Sequence, residues 1–180
     1  KYYFLIMNKF FIYLLFFFLL ISCFNNSKKN DLISKSIDYD KLNSFVQDSL
    51  PSLLILNENF DQIFNLWEGV KTIESTSKIM SSDPRTLPFF LESLKLEVGK
   101  INDKQIPGKL NVPQVIGRFR VYKTEVLKIN SNKIDLGNIQ LFKKNLKKIT
   151  ISYNALISMM NKIAKESLES NNNAETVEVK

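Results

Sequence analysis

IQLFKKNLKKITISYNALISMMNKI, residues 139–163, is the stretch on which the fold turns. Its apolar residues Ile139, Phe142, Leu146, Ile149, Tyr153, Leu156, Met160 and Ile163 are separated alternately by three and four positions. A strand would alternate every second residue, whereas an average spacing of 3.5 gathers all of these side chains on one side of an α-helix. The seam predicts a single amphipathic helix of roughly 30 residues, ~45 Å long.

The same pattern recurs upstream. Val112, Val115, Phe119, Tyr122, Val126 and Ile129 repeat it; Leu87, Phe90, Leu91, Leu94, Val98 and Ile101 form a further stripe. Phe60, Ile63, Phe64, Trp67, Val70, Ile73 and Met80 form another, weakened by Ser77 near its end. Punctuation falls between the stripes. Ser82-Asp83-Pro84 offers a capping acceptor before a proline at the first helical position, and Ile106-Pro107-Gly108 stops that helix after Lys104. Asn111-Val112-Pro113 opens the next helix, and Asn130-Ser131-Asn132-Lys133 closes it before Asp135.

Four amphipathic helices with short connections predict an all-α fold, an up-down antiparallel four-helix bundle. Leu42, Phe45, Val46 and Leu50 fit a short extra helix at its N-terminal end, broken at Pro51. The bundle domain is expected over 39–169. Residues 170–180, opening with Ser170-Asn171-Asn172-Asn173, are polar and aperiodic and are expected to be a disordered tail.

The N-terminal end has a different composition. Met7-Asn8-Lys9 precedes an unbroken apolar run from Phe10 to Ile21, then Ser22 and Cys23. A basic head, about a dozen apolar residues and a small residue before a cut are the parts of a secretory signal, and the run falls short of the ~20 residues of a membrane span. Translation is expected to start at Met7 and residues 1–22 to be removed. Lys1 to Ile6 extend the apolar character, which keeps open the alternative of an uncleaved N-terminal anchor. Residues 1–22 hold Lys1 and Lys9 and no acid, so of 25 basic and 18 acidic side chains the remainder keeps 23 and 18, a net charge of +5. About 158 residues then remain, enough for one domain with a hydrophobic core.

Leu20-Ile21-Ser22-Cys23 resembles the lipobox of bacterial lipoproteins, and the chain's single cysteine stands in it. The resemblance implies diacylglyceryl attachment at Cys23, cleavage after Leu20-Ile21-Ser22 and acylation of the new amino end. With the cysteine so used, no internal disulfide can form. Residues 23–38 then read as a lipidated tether, rich in Asn, Ser and Lys. Together with Phe64-x-x-Trp67 and Ser82-Asp83-Pro84, these features resemble small helical lipoproteins frequent in Bacteroidota, flavobacteria in particular; spirochaete lipoproteins share the Phe-rich signal and Lys-rich helical body. Phe24 follows the cysteine where an inner-membrane retention signal would place Asp, and Lys28-Lys29 replace the acidic residues linked to surface export in some Bacteroidota. The resemblance thus implies a cell-envelope protein held by lipid on the periplasmic side of the outer membrane.

Chemistry is sparse. The chain has no histidine, which removes Ser-His and Cys-His nucleophile pairs, histidine metal sites and the Glu-x-x-His pairs of di-iron bundles. No Gly-rich phosphate loop and no cluster of convergent carboxylates stand out, so no cofactor and no metal are expected. Ser75-Thr76-Ser77-Lys78 matches the Ser-x-x-Lys of β-lactamases. The partner motifs are incomplete, because Ile73 follows Lys71-Thr72 and Pro84 follows Ser82-Asp83, so no catalysis is expected there.

Lys143, Lys144, Lys147 and Lys148, and Arg118, Arg120, Lys123 and Lys128, fall between seam positions and are expected to face solvent or, if functional, an anionic envelope surface. Trp67 lies on an apolar stripe and is expected to be core. Nucleic acid is not expected as a partner, since no aromatic-studded basic groove is apparent. Two roles remain: a non-catalytic interaction or scaffold protein with an envelope partner, or a carrier holding a lipid or another apolar ligand in a bundle-core cavity.

Overall fold

The computed structural model describes residues 37–130 and 134–177. Among them every regular element is helical and there is no strand. The α-helices are α1 (Tyr39–Ser44), α2 (Asp61–Phe64), α3 (Val70–Met80), α4 (Leu87–Lys100), α5 (Pro113–Lys128) and α6 (Ile139–Val177). The expected signal segment, residues 23–36 of the expected tether, and residues 131–133 and 178–180 lie outside the described residues.

α6 carries the seam. Phe142, Leu146, Ile149, Tyr153, Leu156 and Met160 are buried, and Ile157 and Ala164 widen the stripe beyond a single line. Each fully buried aliphatic side chain contributes roughly 1.5–3 kcal/mol. The helix runs on to Val177, past Glu169, where the sequence places the start of a tail. No Pro or Gly interrupts that stretch, so the backbone can continue its ladder.

α5 starts at Pro113, where a missing N–H costs nothing, and buries Val115, Phe119, Tyr122 and Val126 as the spacing requires. α1 is the expected short helix: Asp38 accepts from the Lys41 amide at 3.0 Å, Leu42 is buried, and a π-helical turn, Phe45–Ser49, ends it before Pro51.

Two expectations need correction. The stripe from Phe60 to Met80 is not one helix. It divides into a 3-10 turn (Glu58–Phe60), the single turn of α2, a break over 65–69, and α3. Ile63, Phe64, Trp67, Val70 and Ile73 are all buried nonetheless. Gly69 closes the break tightly: a Cβ there would lie 2.9 Å from Trp67 Nε1 and 3.0 Å from Ile101 Cγ2, so the backbone approaches the indole as only glycine allows. Within α3, Thr76 rather than Ser77 turns into the core.

α4 also differs from its expected limits. Asp83 caps a turn, its Oδ1 accepting from the Arg85 amide at 2.8 Å, and the helix proper begins at Leu87. Pro88 has no N–H to give to the carbonyl four residues back, so Pro84 cannot open a regular ladder. At the other end α4 stops at Lys100, four residues before Lys104. Asn102 and Gln105 there form a capping box on a separate 3-10 turn, Asp103–Gln105. Phe90 leaves the expected stripe and is 38% exposed.

Consecutive helices pack on one another, α3 with α4, α4 with α5 and, most extensively, α5 with α6. Two lysines join α4 and α5 by reciprocal capping. Lys123 on α5 donates to Gly99 O at 2.9 Å and to Ile101 O, at the C-terminal end of α4. Lys95 on α4 donates to Ile129 O at 3.1 Å, just past the end of α5. Each cation therefore meets the negative end of the neighbouring helix dipole.

Candidate functional site

Among the described residues, a polar cluster built into the core spans α3, α5 and α6. The Thr76 and Tyr122 hydroxyls share a hydrogen bond of 2.6 Å, and the Tyr122 and Tyr153 rings lie 6.2 Å apart at 60°. All three residues are almost wholly buried. Burial pushes Tyr122 well above the ordinary phenol range, only partly opposed by its bond to Thr76. Burial likewise pushes Tyr153 up to about 12, against the opposing effect of a hydrogen bond with Ser77. Both phenols stay protonated at neutral pH, so neither supplies a phenolate nucleophile. The arrangement fixes which faces of the three helices meet, because any other register would bury a hydroxyl unpaired.

A double-mutant cycle checks this role. Thr76→Val and Tyr122→Phe should each cost about 1–3 kcal/mol, since each leaves one buried hydroxyl orphaned, while the double variant should lose far less than their sum. Denaturant unfolding of the three variants reads the coupling; additive losses would show that the two hydroxyls act separately. The sign with pH follows from the raised phenols. Unfolded tyrosine ionises near its ordinary 10 and folded Tyr153 only at about 12, so stability holds below pH 10 and falls as pH climbs between those values.

The Ser-x-x-Lys motif does not assemble. Ser75 Oγ donates back to Thr72 O at 2.7 Å and Ser77 Oγ to Glu74 O at 2.8 Å, local bonds along α3, and Lys78 is exposed. Among the described residues no group of three or more metal-ligating side chains converges, and no helix is long and apolar enough to cross a membrane.

The basic residues divide into two sets. Arg120 binds Asp103 (Nε to Oδ2, 2.8 Å), which holds that carboxyl below its usual range; Lys123 caps α4; Lys128 pairs with Glu125 at 3.2 Å; Lys143 sits 5.0 Å over the Phe45 ring. These cations serve the fold. Arg118, Lys144, Lys147 and Lys148 are exposed and have no ion-pair partner among the described residues.

Two of the unpaired cations border a groove between α5 and α6. Arg118, Val121 and Glu125 line it from α5, and Lys148, Ile151, Ser152 and Ala155 from α6; its volume is about 240 Å³. Val121 is 51% exposed and Ile151 50%, so the groove is open and apolar between cations. Sequence reading found its cations and missed its floor, because Val121 and Ile151 are off the seam and a single off-seam aliphatic carries no periodic signal.

A second arrangement was missed entirely. Asn154 on α6 accepts from the Leu54 amide at 2.9 Å and donates to Ser52 O at 2.8 Å. Asn161 repeats the pattern with the Asn57 amide at 2.9 Å and Ile55 O at 3.0 Å. Seven helical residues advance about 10.5 Å and three extended residues about 10 Å, so one asparagine per two turns matches one grip per three residues of the irregular segment 52–57, a strap laid along α6. The signal was present as two asparagines seven apart on one helix.

Cys23, with Leu20, Ile21 and Ser22 before it, lies outside the described residues. Compared with protein-family models, curated proteins and solved structures, the chain has no match.

Proposed function

We propose that the chain is a lipid-anchored protein of a bacterial envelope, tethered through Cys23, whose helical domain has a non-catalytic interaction or scaffold role. The anchor rests on the sequence from Met7 to Cys23. The interaction role rests on one observation, the open α5–α6 groove with half-exposed Val121 and Ile151 set between unpaired Arg118 and Lys148. Contiguous apolar surface rimmed by polar residues is the mark of an interaction site. The domain itself is an up-down four-helix bundle of α3 to α6. In support, the reciprocal caps run in opposite order: the earlier α4 residue, Lys95, meets the later position, Ile129, while Gly99 meets Lys123.

The carrier alternative asks for room inside. Trp67, Tyr122, Tyr153, Phe64 and Phe119 fill the interior, each at most 2% exposed, which favours the scaffold role. A position on the periplasmic side of the outer membrane is supported by Phe24, where inner-membrane retention would need Asp, and by Lys28-Lys29, where surface export would need acidic residues.

Metabolic labelling with a fatty-acid probe tests the anchor. Wild-type chain should carry label in a band of mature size, and Cys23→Ala should carry none and remain uncleaved or leave the membrane fraction. An unlabelled wild-type band of mature size would overturn the lipoprotein reading.

A further inference from the structure

We infer that the α5–α6 face lies against an anionic lipid surface, and that the domain therefore rests on its membrane in a defined orientation. The inference rests on the anchored reading above and names the partner of its groove.

The face is wider than the groove. On α6, Leu141, Lys144, Lys148, Ile151 and Ala155 follow one another at steps of three and four, so they share one side of the helix. Leu141 is 58% exposed, continuing the apolar line begun by Ile151. On α5 the matching side holds Arg118, Val121, Glu125 and Lys128. Its single acid, Glu125, is already paired with Lys128 at 3.2 Å, so among the described residues Arg118, Lys144 and Lys148 stand as uncompensated charge. Apolar side chains between unpaired cations are what an interfacial helix presents to headgroups, the aliphatics entering the acyl boundary while the cations meet phosphate.

Charge complementarity favours this face over the exposed aromatic patch of α4. Phe89 and Phe90 on α4 are in edge contact at 5.7 Å, and Leu96 is 67% exposed. Their helix sets Lys95 against Glu92 and Lys100 against Glu97 at 2.7 Å, which leaves no net attraction for an anionic surface. A tether also keeps the domain within a short reach of lipid, so lipid is the ligand at highest local concentration.

The test uses the full anchored chain reconstituted into vesicles of brominated phosphatidylcholine, with or without phosphatidylglycerol. Native Trp67 is buried and gives a constant background. A reporter indole is introduced as Ile151→Trp or, on the other face, as Phe89→Trp. The inference expects at least about a twofold loss of the added emission at position 151 in phosphatidylglycerol vesicles, and little at position 89. Adding Arg118→Glu and Lys148→Glu should return emission to the level of neutral vesicles, with an unchanged melting temperature as the folding control. Quenching at position 89 and not at 151, or equal quenching at both regardless of phosphatidylglycerol, would overturn the inference. So would a blue shift at position 151 given by an acidic amphipathic peptide and by no vesicle, which would assign the groove to a protein. Acyl labelling of the same preparation separates the two readings. A labelled chain unquenched at 151 removes the lipid contact and leaves the anchor; an unlabelled chain quenched there keeps the contact and removes the anchor.

Discussion

Leu146→Asp should leave the domain largely unfolded at room temperature. Leu146 is fully buried at the middle of the α6 seam, between Phe142 and Ile149, and its carbonyl accepts from the buried Thr150 hydroxyl at 3.0 Å. Truncating a leucine in such a place costs about 2–5 kcal/mol by itself. An aspartate adds either an unpaired charge in the core or the cost of protonating it, against a total stability of about 5–15 kcal/mol for an ordinary domain. The neighbouring Lys147→Asp is the control: Lys147 is exposed, and its loss should shift stability by less than about 0.5 kcal/mol. Denaturant unfolding read by circular dichroism distinguishes them. Comparable losses would mean that the lysine side is buried in an assembly; small losses for both would mean that the seam does not hold the core.

The second large effect is expected around Trp67. Its ring meets Phe119 edge-on with centroids 5.3 Å apart, and its Nε1 is buried without a hydrogen-bond partner among the described residues. Trp67→Ala should cost about 3–5 kcal/mol, the usual loss for an aromatic removed from a core. Trp67→Phe should be far milder, because deleting the orphaned N–H relieves about 1–3 kcal/mol of desolvation and offsets part of the lost contact. Gly69→Ala sets a Cβ 2.9 Å from that nitrogen and 3.0 Å from Ile101 Cγ2, so it should cost about 1–3 kcal/mol through overpacking. In the Trp67→Phe background the same change should be markedly cheaper, since the smaller ring leaves room. Additive losses in the cycle would show that Ile101 or the backbone of the break, and not the indole, sets the need for glycine.

Periodicity reported reliably on what repeats. The α6 seam, the stripe of α5 and the burial of Trp67 followed from spacing because burial of one helical side imposes that spacing. It misled where two buried segments happened to keep phase across a break, as from Phe64 through Trp67 to Val70. Helix ends were misplaced where a local hydrogen bond competed with the ladder: Asp83 and Pro88 delay α4, and the Asn102–Gln105 capping box ends it early. Charges were harder still. Lys123 and Lys144 both look like solvated lysines in the sequence, yet Lys123 caps a helix end that lies 22 to 24 positions earlier in the chain. Its contacts with Gly99 and Ile101 depend on how α4 lies beside α5. The α5–α6 groove was half legible for the same reason, its cations visible and its floor assembled only by packing.

The asparagine grip on the strap has a mechanical consequence. Tension applied to the chain ahead of Asp38 would pass through α1 and then along Ser52–Asn57. The four hydrogen bonds made by the side-chain amides of Asn154 and Asn161 join that strap to α6, the longest of the described helices. A pull along the strap loads these bonds together in shear, as in a lap joint, and does not peel them one after another. Because they hold backbone groups, the joint is indifferent to the side chains of the strap, apart from buried Leu56 and half-buried Leu53. The helical domain is thereby clamped against force applied to the chain ahead of Asp38.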